Sequence, residues 1–347
     1  MKKISVLVTM VLALTIFNGC QKDELVLIDE QSQLAIKPDV YVENGYLAFK
    51  NMEAMDSVKQ MLEKMTAKEV EVWENKLGFK SAKTYFDPIF KEAEQATTLE
   101  DIVAFKKKYQ DVLKWNENDL TDYTFDYPFY NTNFVSLMSK DGIFKIGKSL
   151  FKYSKENRIT ILNGDISKLK DALKIENETD NIRILGKKDD LKSINTRIGL
   201  TNFDGQYGAD GSPEDDWCNW SSSRKMKTGL QFEEFVYENS YGTYDGYYVI
   251  FLWQRAQKKV LGVWVNYAVY YRVGNIVYKE DGITKASLAG YSTSSSVQSI
   301  DWTIYSAYSF IGLATPHSIP IPSPMYFTCY TTNSDFSYYQ FNVIYND

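Results

Sequence analysis

Histidine is almost missing from this sequence: His317 is the single one among 347 residues. Histidine-based zinc sites and most Ser-His or Cys-His catalytic pairs need an imidazole beside their other groups. His317 lies in the proline-punctuated stretch 316–324, which predicts a solvated loop. These classes of site are therefore nearly excluded, and we expect neither a metal nor a cofactor.

Motifs of other enzyme classes are missing too, since there is no Gly-x-Ser-x-Gly elbow, phosphate-binding glycine loop or metal-ligand spacing. Two carboxylate pairs are present, Asp215-Asp216 and Glu233-Glu234. A glycoside hydrolase needs two carboxyl groups roughly 5 to 10 Å apart across a cleft. Adjacent residues of a strand point to opposite faces, so neither pair supplies this geometry alone. Carboxylate sites leave no local sequence motif, so a carboxylate-based glycan hydrolase is kept as the alternative to non-enzymatic binding.

Positive charge is in deficit, with 39 Lys and Arg against 45 Asp and Glu and a net charge of −6. A nucleic-acid partner is not expected, because binding phosphates requires Lys and Arg to displace counterions. The hydrophobic fraction of 44% is typical of packed cores and not of a disordered chain.

The apolar run at residues 4–17 is shorter than the roughly 20 residues that a membrane-spanning helix needs. It follows Lys2 and Lys3, a combination typical of a secretory signal. Gly19-Cys20 then resembles the lipobox of bacterial lipoproteins, although Phe17 and Asn18 depart from the usual residues. The resemblance implies that residues 1–19 are removed and that Cys20 carries lipid.

Residues 21–24, Gln-Lys-Asp-Glu, resemble the signal that sends Bacteroidetes-type lipoproteins to the outer face of the outer membrane. The expected location is the outer membrane, with a lipid anchor, a flexible tether at residues 20–38 and exposure at the cell surface. A periplasm-facing anchor is the alternative. The mature chain would contact the membrane through its lipid.

Cysteine is scarce, with three residues in the chain. If Cys20 carries lipid, Cys218 and Cys329 remain as an even pair in an oxidising compartment, which favours a disulfide between them. The alternative is two separate buried thiols, because free cysteine packs well as a small hydrophobic residue.

The region 39–190 is predicted to be a small α+β domain. Asn44-Gly45 predicts a tight hairpin turn between two short strands, and helical periodicity follows from about 52 to 115. Thr66 to Glu69 and Thr97 to Glu100 fit capping boxes that begin two of the helices. Residues 116–132 predict an irregular loop, and residues 143–146, 150–153 and 159–162 predict strands.

The run Ile-Phe-Lys-Ile-Gly-Lys-Ser-Leu-Phe-Lys at 143–152, followed by a Leu-Lys-rich helix at 165–173, resembles a segment of uncharacterised Bacteroidetes surface lipoproteins. The resemblance covers about residues 40–175. It implies a domain of unknown function and no particular chemistry.

The region 191–347 is predicted to be a mostly antiparallel β-sandwich, after a polar boundary near residue 190. Its candidate strands are residues 230–237, 247–253, 260–273, 276–279, 300–305, 326–330 and 336–345. The expected fold class is therefore α+β, with a helix-rich α+β domain before the sandwich.

The sequence 217–220, Trp-Cys-Asn-Trp, follows an acidic, glycine-rich loop at 202–216. Indole faces pack on sugar C–H groups, and carboxylates bond hydroxyl groups, so Trp217, Trp220, Asp215 and Asp216 form a candidate glycan site. The alternatives are that both tryptophans belong to the core, and that the loop is solvated or binds calcium.

The best-supported function is non-enzymatic binding of a glycan or protein ligand at the cell surface, with a structural or accessory part of a surface complex as a further alternative. Asp56-Ser57-Val58 also matches the O-glycosylation pattern of exported proteins of this bacterial group, although three residues often match by chance and a helix start is the simpler explanation.

We expect Cys20→Ser to abolish metabolic labelling with palmitate and to leave an uncleaved precursor, because the lipid is attached through a thioether. Labelling that persists in the variant would contradict the anchor. As a separate control of location, replacing Lys22, Asp23 and Glu24 with alanine should lower proteolysis of the protein on intact cells while labelling continues.

Overall fold

The computed structural model describes residues 39–117, 119–172, 178–186, 201–204, 206–207, 213–214, 217–333 and 336–345. The predicted signal, the tether and Cys20 lie outside these ranges. Within the ranges, no helix combines the length and apolar character needed to cross a membrane.

The chain begins with a hairpin of β1 (Val40–Glu43) and β2 (Tyr46–Phe49). Asn44 and Gly45 turn it at φ values of 49° and 84°, as the sequence predicted. Four helices follow, α1 (Met52–Lys64), α2 (Ala67–Leu77), α3 (Ala82–Glu94) and α4 (Leu99–Tyr109).

Local signals determine where these helices begin and end. Thr66 and Glu69 form the predicted capping box of α2, and Gly78 ends the helix in the left-handed region at φ 66°. The second box lies one residue later than predicted, at Thr98 and Asp101. Both registers offer a threonine followed three residues later by an acid, so the motif alone did not select one.

A six-stranded sheet lies beside the helices in the order β1-β2-β5-β6-β7-β8. Its later strands are β5 (Ile143–Ile146), β6 (Ser149–Tyr153), β7 (Asn157–Ile161) and β8 (Ile182–Gly186). Between α4 and β5, β3 (Lys114–Trp115) pairs with β4 (Phe125–Asp126) in a segment predicted to be irregular. A 3-10 turn (Ile166–Lys168) and the short helix α5 (Leu169–Ala172) precede β8, which lies in a polar stretch where no strand was predicted.

The rest of the chain, where the structure describes it, is mostly strands. They are β9 (Thr201–Asp204), β10 (Gln206–Tyr207), β11 (Pro213–Glu214), β12 (Trp217–Ser221), β13 (Arg224–Glu238), β14 (Tyr244–Val260), β15 (Val263–Asn266), β16 (Tyr271–Glu280), β17 (Ile283–Ser292), β18 (Ser299–Leu313), β19 (Met325–Asn333) and β20 (Phe336–Tyr345). One sheet has the order β11-β12-β13-β14-β15, with β9 beside β13 and β18 beside β14; the other has the order β10-β20-β19-β16-β17. The predicted α+β class with a strand-rich C-terminal part is confirmed.

The edge strand β17 was not predicted. Its residues are mostly exposed on both faces, so it lacks the alternation of a half-buried strand.

The hairpin of β13 and β14 is buried on both faces. One face places Phe235, Tyr247 and Phe251 in the core beneath the helices and the first sheet. The other face places Phe232 and Ile250 in a second core against β16, β19 and β20. The first core therefore continues across the boundary predicted near residue 190, and Pro38–Asp347 form one compact unit.

Two buried ion pairs join β13 to the first sheet. Arg158 Nη1 donates to Glu233 Oε1 at 2.8 Å, with side chains 1% and 0% exposed. Glu234 accepts from Arg183 Nη2 at 3.3 Å and from the Ile319 backbone N–H at 2.7 Å. The adjacent glutamates thus have separate partners, Arg158 for Glu233 and Arg183 for Glu234.

We expect Arg158→Met to lower the free energy of unfolding by about 3–5 kcal/mol, because it leaves a buried carboxylate without a counter-charge. Burial already raises the pKa of Glu233 to about 7, against the lowering effect of Arg158, and losing Arg158 raises this pKa further. A carboxyl group whose pKa is raised in the folded state lowers the stability of the protein as the pH rises towards that pKa. The stability lost in Arg158→Met should therefore grow above about pH 7, the pKa of Glu233 in the wild type.

Urea titrations at pH 6 and pH 8.5 measure both effects. Lys50→Met is the matched control, because its ion pair with Asp39 is exposed and should contribute little. Equal losses in the two variants would contradict the role given to Arg158.

Candidate functional site

A cleft of about 560 Å³ opens where the helices and the first sheet stop covering β13 and β14. Side chains of a strand alternate between its faces, so the face that carries Phe251 into the core continues with Trp253, Arg255 and Gln257. All three line the cleft, as does Gln231 of β13. The floor of the cleft is therefore the uncovered end of a buried sheet face.

The walls come from segments that pack over this floor. They include Trp115 and Asn116 of the β3 region, Phe125 and Asp126 of β4, residues 129–132, the turn Lys155-Glu156, and Asn266 and Gln298. Trp115 is held by its own N–H, which donates to the Tyr109 carbonyl at 3.1 Å. Asn266 donates to the Phe125 carbonyl at 2.8 Å and to Gln298 Oε1 at 2.9 Å, which joins the walls.

Trp253 owes its position to a glycine. Gly229 is its direct partner on β13, and a Cβ atom there would overlap the indole. An aromatic ring can therefore lie over the bare backbone of the neighbouring strand. Trp253 is partly exposed and presents an aromatic surface to the cleft.

Arg255 lies next to this ring, 5.7 Å from its centroid, and holds two carboxylates. Its Nη1 is 3.2 Å from Asp301 Oδ1, and its Nε is 3.4 Å from Asp126 Oδ2. Its Nη2 donates to the Thr132 hydroxyl at 3.0 Å. Burial raises the pKa of Asp126, whereas the nearby guanidinium lowers it. The positions of these charges are thus fixed by the protein itself.

This arrangement offers hydrogen-bonding groups beside an aromatic face. Arg255 is paired with Asp126 and Asp301, and across the described parts of the chain no cluster of three or more His, Cys, Asp or Glu residues is placed to hold a metal. A preformed cleft with aromatic surface and a few fixed polar groups is typical of ligand binding.

No family model matches the chain, and no curated protein matches it. Among solved structures, a DUF4848 family protein from Bacteroides thetaiotaomicron matches with 16% identity and a TM-score of 0.29. The match covers 88% of this chain and 100% of that one. At this identity and TM-score it assigns neither a fold nor a function.

The structure does not test the glycan site predicted around residues 215–220. Trp217 and Trp220 belong to β12, which pairs with β13. Their side chains, and all of Asp215 and Asp216, lie outside what is described, as does most of the acidic loop. The site stays a prediction.

The predicted disulfide is not formed. Cys329 is a free, buried thiol whose pKa is raised by burial. It lies on β19 and packs inside the second core, whereas Cys218 is on β12 in the other sheet, opposite Met226. Counting cysteines could not show that the two residues belong to different sheets.

Two smaller expectations can be placed. His317 is exposed outside helices and strands, as predicted, with Nε2 at 3.1 Å from the Thr315 hydroxyl. Ser57 is exposed within α1, while Asp56 accepts a hydrogen bond from the Tyr247 hydroxyl. Glycosylation of Ser57 stays a prediction.

Sequence reasoning missed the cleft, although β14 contained a signal for it. Along one face of this strand the residues change from Tyr247, Val249 and Phe251 to Trp253, Arg255 and Gln257. The change from apolar to polar side chains on a single face marks where its cover ends.

We expect Gly229→Ala to lower the free energy of unfolding by about 1–3 kcal/mol, because the added methyl group must displace the indole of Trp253. The near-UV circular dichroism of the tryptophans should change as well. Gly274→Ala is the control, since its Cβ would have no neighbour closer than 3.6 Å. A Gly229→Ala protein as stable as the control would contradict the packing described.

Proposed function

We propose that the chain is a lipid-anchored protein of the bacterial cell surface that binds a glycan in the cleft over β13 and β14. The observation that supports this most directly is the partly exposed indole of Trp253 beside the fixed group of Arg255, Asp126 and Asp301. Support for the surface location comes from the sequence around Cys20 and the four residues after it.

The chemistry of a sugar matches the lining. One face of a pyranose ring presents C–H groups that pack on an indole, and its rim presents hydroxyl groups that both donate and accept hydrogen bonds. Trp253 supplies the aromatic face, and Asp126, whose side chain is 31% exposed, supplies an acceptor in the same cleft. Cleft size agrees, because ligand pockets usually enclose about 300–1,000 Å³.

Binding is a better interpretation than hydrolysis because the carboxylates beside Arg255 and Arg158 already have partners. Asp126 and Asp301 both contact Arg255, and Glu233 is enclosed with Arg158. A hydrolase needs one carboxyl group that can give up a proton and a second that activates water or attacks the sugar. Neither Asp126 nor Asp301 is free of the guanidinium for such a role.

We expect the wild-type protein to retain glycans on an array without releasing products. Trp253→Ala should lower the affinity for the retained glycans about tenfold or more, because stacking on the partly exposed indole is lost. The affinities are measured by isothermal titration calorimetry. Tyr241→Ala is the control, because Tyr241 is an aromatic residue that is 90% exposed and does not line the cleft.

Three other outcomes would overturn this proposal. Release of shortened sugars would identify a hydrolase. Retained glycans that bind Trp253→Ala as tightly as the wild type would move the site elsewhere, with Trp217 and Trp220 next to be changed. A wild-type protein that retains no glycan would leave a protein ligand or a structural role.

A further inference from the structure

Gln257 lies at the end of the cleft floor and has a buried acceptor without a donor. The residue is 5% exposed and lines the cleft. Its Nε2 donates to the Thr124 hydroxyl at 3.2 Å. Its Oε1 has no hydrogen-bond partner among the residues that the structure describes.

The orientation of this amide is determined by its neighbours. The Thr124 hydroxyl donates to Asp122 Oδ1 at 2.5 Å, and the same carboxylate oxygen accepts the Thr124 backbone N–H at 2.8 Å. Because the hydroxyl proton is committed to a carboxylate, this oxygen can only accept from Gln257. The amide nitrogen must therefore face Thr124, which leaves Oε1 as the free end of the side chain.

A buried acceptor without a partner is unfavourable, and native proteins seldom leave one. A ligand group that donates a hydrogen bond to Gln257 Oε1 would satisfy it, whereas an apolar or acceptor group at the same place would not. The acceptor therefore selects for a donor such as a hydroxyl.

The charges of the cleft indicate that this ligand is uncharged. The cations of the lining are Lys114, Lys155, Lys227 and Arg255. Their charge is balanced by an equal number of carboxylates, Glu117, Asp126 and Glu156 in the lining and Asp301 beside Arg255. Arg255 is the group best shaped to bind a carboxylate or sulfate through two parallel hydrogen bonds, and it already holds two carboxylates. An acidic sugar would meet Asp126 without gaining a guanidinium of its own.

We propose, on the basis of the function proposed above, that the cleft is specific for an uncharged saccharide, one of whose hydroxyl groups donates to Gln257 Oε1. Gln257 is then the residue that determines specificity, and Thr124 with Asp122 positions it. Trp253 supplies affinity for sugars in general, while Gln257 distinguishes among them.

The experiment compares four probes by isothermal titration calorimetry: maltohexaose, mannohexaose and xylohexaose as neutral saccharides, and hexagalacturonic acid as the acidic one. The wild type should bind at least one neutral probe more tightly than the acidic probe. Gln257→Met, which keeps the length of the side chain and removes the acceptor, should lower that affinity about tenfold.

Gln254→Met is the matched control, because it removes a buried amide on the opposite face of β14 that does not line the cleft and whose Nε2 donates to the Thr228 hydroxyl at 3.2 Å. Its affinity should stay within about twofold of the wild type, since no ligand contact is assigned to it. If Gln257→Met fails to melt cooperatively, Thr124→Val replaces it, because losing the hydroxyl frees the amide to turn and should also weaken binding.

The outcomes separate this inference from the proposed function. If no glycan is retained on the array and none of the four probes binds, the proposed function fails and the inference fails with it. If the acidic probe binds most tightly, or if Gln257→Met binds the neutral probe as well as Gln254→Met does, the cleft still binds sugars but the specificity assigned to Gln257 is wrong.

Discussion

The buried ion pair between Arg158 and Glu233 is the contact on which the arrangement of this protein depends. Glu233 places a carboxylate on a sheet face that is otherwise filled by aromatic side chains, and an unpaired charge there would be strongly unfavourable. Arg158 of β7 supplies the counter-charge, and Tyr153 and Asn131 donate to the same carboxylate. The first sheet can therefore pack on β13 in one position only, with Arg158 over Glu233.

The cleft follows from that position. On the same face of the hairpin, beyond Glu233 and Phe251, the cover ends, and the buried Gln231 and the partly exposed Trp253 line the cleft. Asn131 belongs both to the ion-pair cluster and to the cleft wall, so the buried charge also determines where the wall stands. Arg255 then joins β14 to β4 through Asp126 and to β18 through Asp301.

A cleft built in this way is largely organised before a ligand arrives. Trp253 is held over Gly229, Arg255 between two carboxylates, and Gln257 by the hydroxyl of Thr124. Side chains that are already fixed lose little conformational entropy on binding, which favours affinity from a small contact area. Among the described residues that line the cleft, Gln257 has a buried acceptor, Oε1, without a partner, and there this organisation is incomplete without a ligand.

What the sequence determined by itself concerns neighbours along the chain. The hairpin at Asn44-Gly45, the capping box at Thr66 and the strand periodicity of the C-terminal half depend on residues a few positions apart, so they were predictable. Tertiary structure decided the rest: Arg158 meets Glu233 across 75 positions, Arg255 meets Asp301 across 46, and Cys329 is buried in a different sheet from Cys218. Each of these depends on which strands pack face to face, and composition and spacing do not contain that information.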